Sequence, residues 1–175
     1  KARRSLGVGF IGLAHYLAKL GFSYGSQEAW DAVHGLSESF QYYLLKSSNQ
    51  IAKEKGWCEN FGRTKYSDGI LPIDTYKTDV DEITSQELAH DWEGLRASIN
   101  EFGLRHSTLS AQMPSESSSV VSNATNGIEP PRGYLSVKKS KKGPLKQIVP
   151  QYNNLNNLLN ELEQSEEGEC ESCAV

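Results

Sequence analysis

The sequence predicts a helix-rich fold that carries one β-hairpin and ends in a mobile acidic tail, and three observations carry that reading. Apolar residues recur at spacings of three and four over three separate stretches before Gly103, the mark of amphipathic helices. Tyr134–Val149 instead brackets a Lys-Lys-Gly-Pro turn with strand-forming residues. Residues 151–175 hold six Glu and neither Lys nor Arg. The whole chain has a net charge of -4, so residues 1–150 are left slightly basic, with 18 Lys and Arg against 16 Asp and Glu. A shift this sharp marks an organisational boundary.

Taken in order, Leu6, Phe10, Leu13, Leu17 and Leu20 predict a first helix that Gly21 stops. A second runs from about Gln27 to Lys55 with an apolar stripe of Val33, Leu36, Phe40, Tyr43, Leu44 and Ile51, and Gly56 closes it. An irregular stretch follows around Gly62, Gly69 and Pro72. Leu88, Trp92, Leu95, Ile99 and Phe102 predict a third helix, with Thr84 and Glu87 as its capping box and Gly103 as its stop. Ser107–Met113 reads as a short buried strand, and Val120–Ala124 has helical character. Asn126-Gly127 and Pro130-Pro131 mark turns. Leu135, Val137, Leu145, Ile148 and Val149 then flank the hairpin turn at Lys141–Pro144. Leu155, Leu158, Leu159 and Leu162 predict a short helix or linker over 153–163, and 164–175 reads as a mobile tail.

Composition bounds the function. A 175-residue chain with 37% hydrophobic residues can bury a core, which excludes global disorder. No run of about 18 apolar residues occurs, so no membrane span is expected. The apolar stretch near Phe10 has neither a starting Met nor a small-residue cleavage site, so an ordinary helix is expected there rather than a leader. Three cysteines make no disulfide scaffold, and a reducing, cytoplasmic setting is the expectation.

Four features offer chemistry. Gly7-Val8-Gly9-Phe10-Ile11-Gly12 matches the glycine pattern of a dinucleotide-binding turn, and Glu28 or Asp31 stands near the place of a ribose contact. That reading needs a buried strand before the glycines, and only Lys-Ala-Arg-Arg-Ser-Leu precedes them; glycines that let helices pack closely explain the match more simply. Pro114-Ser115-Glu116-Ser117-Ser118-Ser119 sets hydroxyls at the start of a short helix, whose unpaired N–H groups and positive dipole end suit a phosphate; ordinary helix capping is the plain alternative. Cys170 and Cys173 lie in an exposed acidic tail, where a dithiol can exchange with another through a mixed disulfide. Acidic neighbours raise thiol pKa values, and two idle cysteines are the alternative. Arg132, Lys138, Lys139, Lys141, Lys142 and Lys146 make the hairpin basic, but Tyr134 is its sole aromatic residue, so edge-strand protection is favoured over nucleic-acid contact. Cys58 reads as a structural thiol, and His15, His34, His90 and His106 show no catalytic spacing. No metal site follows from these residues, since the Cys pair lacks further ligands nearby.

Several segments resemble a known family: Arg3–Gly9, Gln41–Lys46, Gly69–Tyr76, Gly103–Leu109 and above all Met113–Gly133, where unusual residues fall in one order. Together they resemble the large, catalytic subunit of class I ribonucleotide reductase, close to the bacterial and phage type, over residues 1 to about 152 and again at the tail. The resemblance implies an α/β fold, with 1–152 as part of a ten-stranded α/β barrel. It implies reduction of ribonucleoside diphosphates to deoxyribonucleoside diphosphates for DNA synthesis by a radical mechanism. It implies that Pro114, Ser115, Glu116, Ser117 and Ser118 bind the substrate diphosphate. Cys170 and Cys173 would re-reduce the active-site disulfide and be recharged by thioredoxin or glutaredoxin.

The partners so implied are the rest of the large subunit and the small radical-generating subunit, with no cofactor held by this segment, no membrane and no nucleic acid. The setting is the cytoplasm, or the host cytoplasm for a phage protein. The same resemblance places the family's finger loop with its radical cysteine, the substrate-reducing cysteines and the allosteric sites outside these residues, so the segment is expected to be incomplete for catalysis alone. A long segment that the family has between Tyr152 and the tail, with an adjacent tyrosine pair, is missing from these residues by the same resemblance; Tyr42-Tyr43 is not that pair. The two tail cysteines stand closer together than the bacterial pattern has them. The alternative function is a non-catalytic redox or interaction fragment that exchanges with thioredoxin or glutaredoxin through its tail, and a dinucleotide-dependent enzyme is the third.

Overall fold

The computed structural model describes residues 2–149 apart from 85, 132, 141 and 142, and it is helix-rich. Its four α-helices are α1 (Leu13–Leu20), α2 (Gln27–Lys55), α3 (Trp92–Phe102) and α4 (Glu116–Val121). Two strands, β1 (Leu135–Ser140) and β2 (Gly143–Ile148), form an antiparallel hairpin. The chain divides into two compact units, one from Lys1–Gly9 and Trp30–Gln112 and the other from Phe10–Ala29 and Met113–Val175. The expected 153–163 helix, the 164–175 tail, Arg132, Lys141 and Lys142 lie outside the described residues.

In the first unit the core gathers Tyr42 and Leu45 of α2, Leu71, Trp92, Leu95 and Ile99 of α3, and Leu104 and Leu109 after it. The extent of α2 matches the sequence reading, but its buried stripe does not. The inward face is Glu38, Tyr42, Leu45, Ser48, Asn49 and Ala52, whereas Tyr43 is exposed and Val33, Leu36, Phe40, Leu44 and Ile51 are only partly covered. Three of those six are polar, and each is buried because it is bonded. Asn49 Nδ2 donates to the carbonyls of Ser98 (3.0 Å) and Gly103 (2.9 Å), while its Oδ1 accepts from Ser98 Oγ at 2.7 Å. Ser48 Oγ lies 2.9 Å from His106 Nδ1 and accepts the His106 N–H, and the Ser48 carbonyl accepts the Arg105 N–H. Burial, followed by the nearby Arg105 and Arg4, pushes the His106 imidazole below its ordinary pKa.

Glu38 accepts N–H bonds from Ala89 and His90 and from the Trp92 indole, each at about 3 Å. Burial pushes its carboxyl up, but these donors together hold it below the ordinary carboxylate range. Tyr42 stacks on His90 with ring centroids 4.5 Å apart and meets Trp92 edge-on.

The third helix begins later than its apolar spacing suggests. Asp91 is its N-cap, with Oδ1 accepting from the Gly94 N–H at 2.8 Å, and Leu88 is exposed. The Thr84 hydroxyl, expected to cap, instead donates to Asp31 at 2.6 Å. Gly103 does end the helix: its φ is +69°, and a Cβ there would stand 2.8 Å from Trp57 Cβ. Before α3 the irregular stretch is a series of short 3₁₀ turns, Phe61–Arg63, Lys65–Asp68, Pro72–Asp74 and Thr78–Glu82. Arg96 of α3 fastens them with a two-pronged pair to Asp74 (2.6 and 2.9 Å) and a bond to the Gly69 carbonyl.

The N-terminal segment corrects another expectation. Leu6 and Phe10 precede the first helix rather than belong to it. Leu6 and Val8 donate to the carbonyls of Thr108 and Leu109, Ala111 donates back to Val8, and Val8 and Ser110 form one parallel bridge. The expected Ser107–Met113 strand is thus shorter, with Leu109 buried and Met113 exposed.

In the second unit α1 buries Leu13, Ala14, Leu17 and Ala18, and Gly21 ends it. The helical character read at Val120–Ala124 belongs to Glu116–Val121, since Asn123 has a φ of +49° and stands outside the helix. The hairpin pairs Leu135 with Ile148 and Ser140 with Gly143, so Gly143 and Pro144 lie in the second strand rather than in the turn. Val149 donates to the Tyr134 carbonyl and is buried.

Two stability tests follow. Asn49→Ala leaves the Gly103 carbonyl and the Ser98 groups without their partner, and should cost about 3 kcal/mol, read as a lower denaturant midpoint with unchanged slope. Bonds from Arg96 and then the Leu71 N–H hold the Asp74 carboxyl down at about 2, below its unfolded value of about 3.9. That contribution is present above about pH 4 and is lost as pH falls through about 2. Asp74→Asn should therefore lower stability at pH 7 by no more than ~1 kcal/mol for so exposed a pair, read as a lower Tm, and the difference from the unaltered chain should shrink below about pH 4 and close only below about pH 2.

Candidate functional site

The serine-rich loop lies in the second unit, where Pro114 breaks the preceding extended segment and α4 starts at Glu116. Ser115 is the N-cap residue, but its side chain makes no capping bond. Its backbone is held instead: the Ser115 N–H donates to Asn126 Oδ1 at 2.9 Å, and its carbonyl accepts the Ser119 N–H at 2.8 Å. Ser119 is buried, with Oγ donating to the Glu116 carbonyl, and the Ser119 carbonyl accepts the Ala124 N–H. Ser122 Oγ donates to the Ser118 carbonyl. The buried residues of the loop are therefore its anchors, and Pro114, Glu116, Ser117 and Ser118 are exposed. A first helical turn has N–H groups with no intrahelical acceptor and a positive dipole end, so this ledge presents donors and hydroxyls to solvent.

A second layer fixes that ledge against α1. The Thr125 carbonyl accepts the Gly12 N–H at 3.0 Å, and the Gly127 carbonyl accepts the Leu13 N–H at 3.3 Å. Gly12 has a φ of +78°, and a Cβ on it would touch Ala124 Cβ at 3.5 Å. These bonds also decide the Gly7–Gly12 motif. The N–H groups at the head of α1 that a pyrophosphate would need are taken by backbone carbonyls, and Gly7 sits in the extended segment against Ala111. The glycines serve close approach, as expected, but of extended chain and of a helix entry rather than of two packed helices.

Two hydroxyls in this unit, Ser115 Oγ and Thr125 Oγ1, are buried and find no partner among the described residues, and the same is true of His15 Nε2. Burial, then Lys19, pushes the His15 imidazole below its ordinary pKa, so it is neutral at pH 7. Tyr24 donates to the Ile128 carbonyl, and burial, with Glu129 nearby, pushes its phenol up.

Of the residues the sequence singled out, the structure brings Pro114–Ser118 together on one ledge, while Cys170 and Cys173 lie outside the described residues. Cys58 is a free, fully buried thiol, as expected. Among the described residues no cluster of His, Cys, Asp and Glu is suited to a metal ion, and no helix is long and apolar enough to cross a membrane. Sequence reasoning missed Asn126, Thr125 and Gly12 as the supports of the loop. Asn126-Gly127 signalled only a turn, and nothing in it shows that the Asn side chain reaches back to Ser115.

Comparison with known proteins is consistent along the chain. A family model described as the ribonucleotide reductase barrel domain matches residues 1–172. A relative from Haemophilus influenzae, ribonucleoside-diphosphate reductase subunit alpha, is 61% identical over 154 residues, covering 88% of this chain and 20% of the relative. The Escherichia coli ribonucleoside-diphosphate reductase 1 subunit alpha is 59% identical over 153 residues, 87% of this chain and 20% of the relative. The subunit alpha of Enterobacteria phage T4 is 51% identical over 150 residues, 86% of this chain and 20% of that protein. The chain thus spans about a fifth of the length of the curated relatives it matches.

Removing the Asn126 amide should loosen the ledge before it unfolds the unit. Asn126→Ala is expected to speed hydrogen exchange of the Ser115 amide at least tenfold, leaving α3 amides unchanged; equal protection at Ser115 would show that the bond does not hold the loop.

Proposed function

The chain belongs to the ribonucleotide reductase barrel-domain family, and from that premise we propose that it works as a segment of the large subunit of ribonucleoside-diphosphate reductase. In this reading Pro114–Ser118 cradles the substrate diphosphate. The observation that carries it is the anchored ledge: Ser115 and Ser119 are fixed from behind, while Ser117 and Ser118 stand exposed at the head of α4. Phosphate oxygens would accept from first-turn N–H groups and from the two hydroxyls, and the helix dipole favours their charge. The loop's donors are preset, so little ordering is required on binding.

The remaining roles extend the same proposal. Cys170 and Cys173 act as a dithiol that hands two electrons and two protons to the active-site disulfide through a mixed disulfide, and closes to a disulfide itself. Thioredoxin or glutaredoxin then restores it. The small subunit supplies the radical, and the rest of the large subunit supplies the chemistry at the ribose. The product serves DNA synthesis, in the reducing cytoplasm where such thiol exchange runs.

The test is reconstitution. The chain is combined with the complementary part of a large subunit and the small radical subunit, and deoxyribonucleoside diphosphate is measured. Activity is expected in the assembly; no complex and no product would overturn the proposal. Ser117→Ala should raise KM for the diphosphate about tenfold, the worth of one hydrogen bond of about 1.4 kcal/mol, with kcat little changed. Cys173→Ser should abolish turnover driven by thioredoxin and spare turnover driven by dithiothreitol, and equal loss with both reductants would remove the shuttle role.

A further inference from the structure

The first unit holds a cleft of about 360 Å³ whose lining includes none of Pro114–Ser118. Arg3, Arg63 and Lys65 line it, together with Thr75 and Thr108 and the apolar Leu71. Its lining contains no Asp or Glu. The three cations come from two stretches of chain, the N-terminal segment and the adjoining turns at 61–68, each pinned by backbone bonds. Arg3 lies between Ala2, whose carbonyl accepts the Asn60 N–H, and its own carbonyl, which accepts the Ser107 N–H, both at 2.9 Å. Arg63 closes a 3₁₀ turn by donating to the Asn60 carbonyl, and the Lys65 carbonyl accepts the Ile70 N–H. Asp74 stands beside Thr75 in the chain, but its carboxylate is committed to Arg96 and to the Leu71 N–H. None of the three cations is ion-paired among the described residues.

A cleft lined by three cationic residues and no carboxylate carries a positive potential that an anion offsets. Two guanidinium forks match the planar and tetrahedral oxyanions that bind in a two-pronged way. Threonine hydroxyls add neutral donors. Ile70 and Pro72, both only partly buried, give the lining an apolar surface for the uncharged body of a ligand. The volume is at the small end for ligand pockets, which suits one small molecule and not a macromolecule.

We propose that this cleft binds a phosphate-bearing small molecule, with the phosphate held by Arg3, Arg63 and Lys65 and the organic body resting on Ile70 and Pro72. The site shares no residue with the serine ledge and stands whether or not that ledge binds the substrate diphosphate.

The experiment titrates the full chain, labelled with nitrogen-15, with inorganic pyrophosphate and in parallel with phenyl phosphate, against potassium chloride at matched ionic strength. Saturable shifts of the Thr64, Thr75 and Thr108 amides are expected with both phosphates and not with chloride, with phenyl phosphate also moving the Ile70 amide. In the R63A/K65A variant these shifts should need at least tenfold more ligand. Both changed residues are exposed, so the variant should keep its fold, and unchanged amide positions in α3 verify this. Any response at Ser117 and Ser118 is read separately and should be the same in both proteins. No saturable shift in the unaltered chain, or equal affinity in R63A/K65A, would overturn the proposal. Shifts with pyrophosphate that leave Ile70 unmoved by phenyl phosphate would remove the apolar contact from it.

Discussion

One side chain sets the path of the first unit. Asn49 is buried in the C-terminal third of α2, and its amide bonds the Ser98 carbonyl and hydroxyl and the Gly103 carbonyl. It thereby joins two turns of helix to the residue where α3 ends. An unmet buried amide is costly, so the position has one good solution, and that solution fixes where the chain leaves α3. The next residues inherit the constraint. Arg105 donates to the Ser48 carbonyl and, through Nη1, to the Lys55 and Gly56 carbonyls, so the end of α2 and the exit of α3 share one set of bonds. Leu104 and Leu109 are then delivered to the core, and Thr108 and Leu109 to the extended segment at Leu6 and Val8. The position of Arg3, and with it one wall of the cationic cleft, depends on a bond made some distance away in the sequence.

Much of this was readable, and the failures have a common cause. Helix existence and the stops at Gly21, Gly56 and Gly103 follow from periodicity and from glycine at a positive φ. What went astray was which face turns inward. The apolar count along α2 favours Tyr43, yet Tyr42 is buried and Tyr43 exposed, because the face is chosen by Glu38, Ser48 and Asn49, polar residues whose partners lie 49 to 58 residues away in sequence. The same holds at the start of α3. Thr84 and Glu87 have the right spacing for a capping box, but Thr84 has a better partner in Asp31, and Asp91 caps instead. Local spacing cannot rank a local bond against a distant one. Leu6 and Phe10 continue a helical rhythm into a segment whose N–H groups pair with 108 and 109, and pairing of that kind is invisible to periodicity.

The serine ledge was legible in part. Hydroxyls after a proline suggest a helix start, and α4 begins there. The sequence does not reveal the division of labour among near-identical residues. Ser115 and Ser119 are buried, and Ser119 spends its hydroxyl on the backbone, while Ser117 and Ser118 remain outside. A run of serines is therefore two kinds of residue, two that build the turn and two that face solvent. The support behind them is equally specific: Asn126 reaches the Ser115 N–H, and the carbonyls of Thr125 and Gly127 fill the head of α1. A helix N-terminus that looked like a ligand site in sequence, at Gly7–Gly12, is consumed in holding another in place.

The two anion sites proposed for this chain would work by different physics. The ledge on α4 has no Lys or Arg among Pro114–Ser118, and Glu116 stands in its first turn. It attracts an anion only through short-range donors and a dipole that fades within a turn, so it discriminates by geometry. The cleft at Arg3, Arg63 and Lys65 uses full charges, which act over about 8–10 Å at physiological salt and weaken as salt rises. Affinity at the ledge therefore depends on the bonds that position Ser115, whereas affinity at the cleft depends on how many cations the fold keeps unpaired. Asp74 bears on the second. It is the neighbour of Thr75 in the chain, and its carboxylate is held by Arg96 and the Leu71 N–H, so the pair that fastens the 3₁₀ turns to α3 also occupies the carboxylate next in sequence to that lining residue.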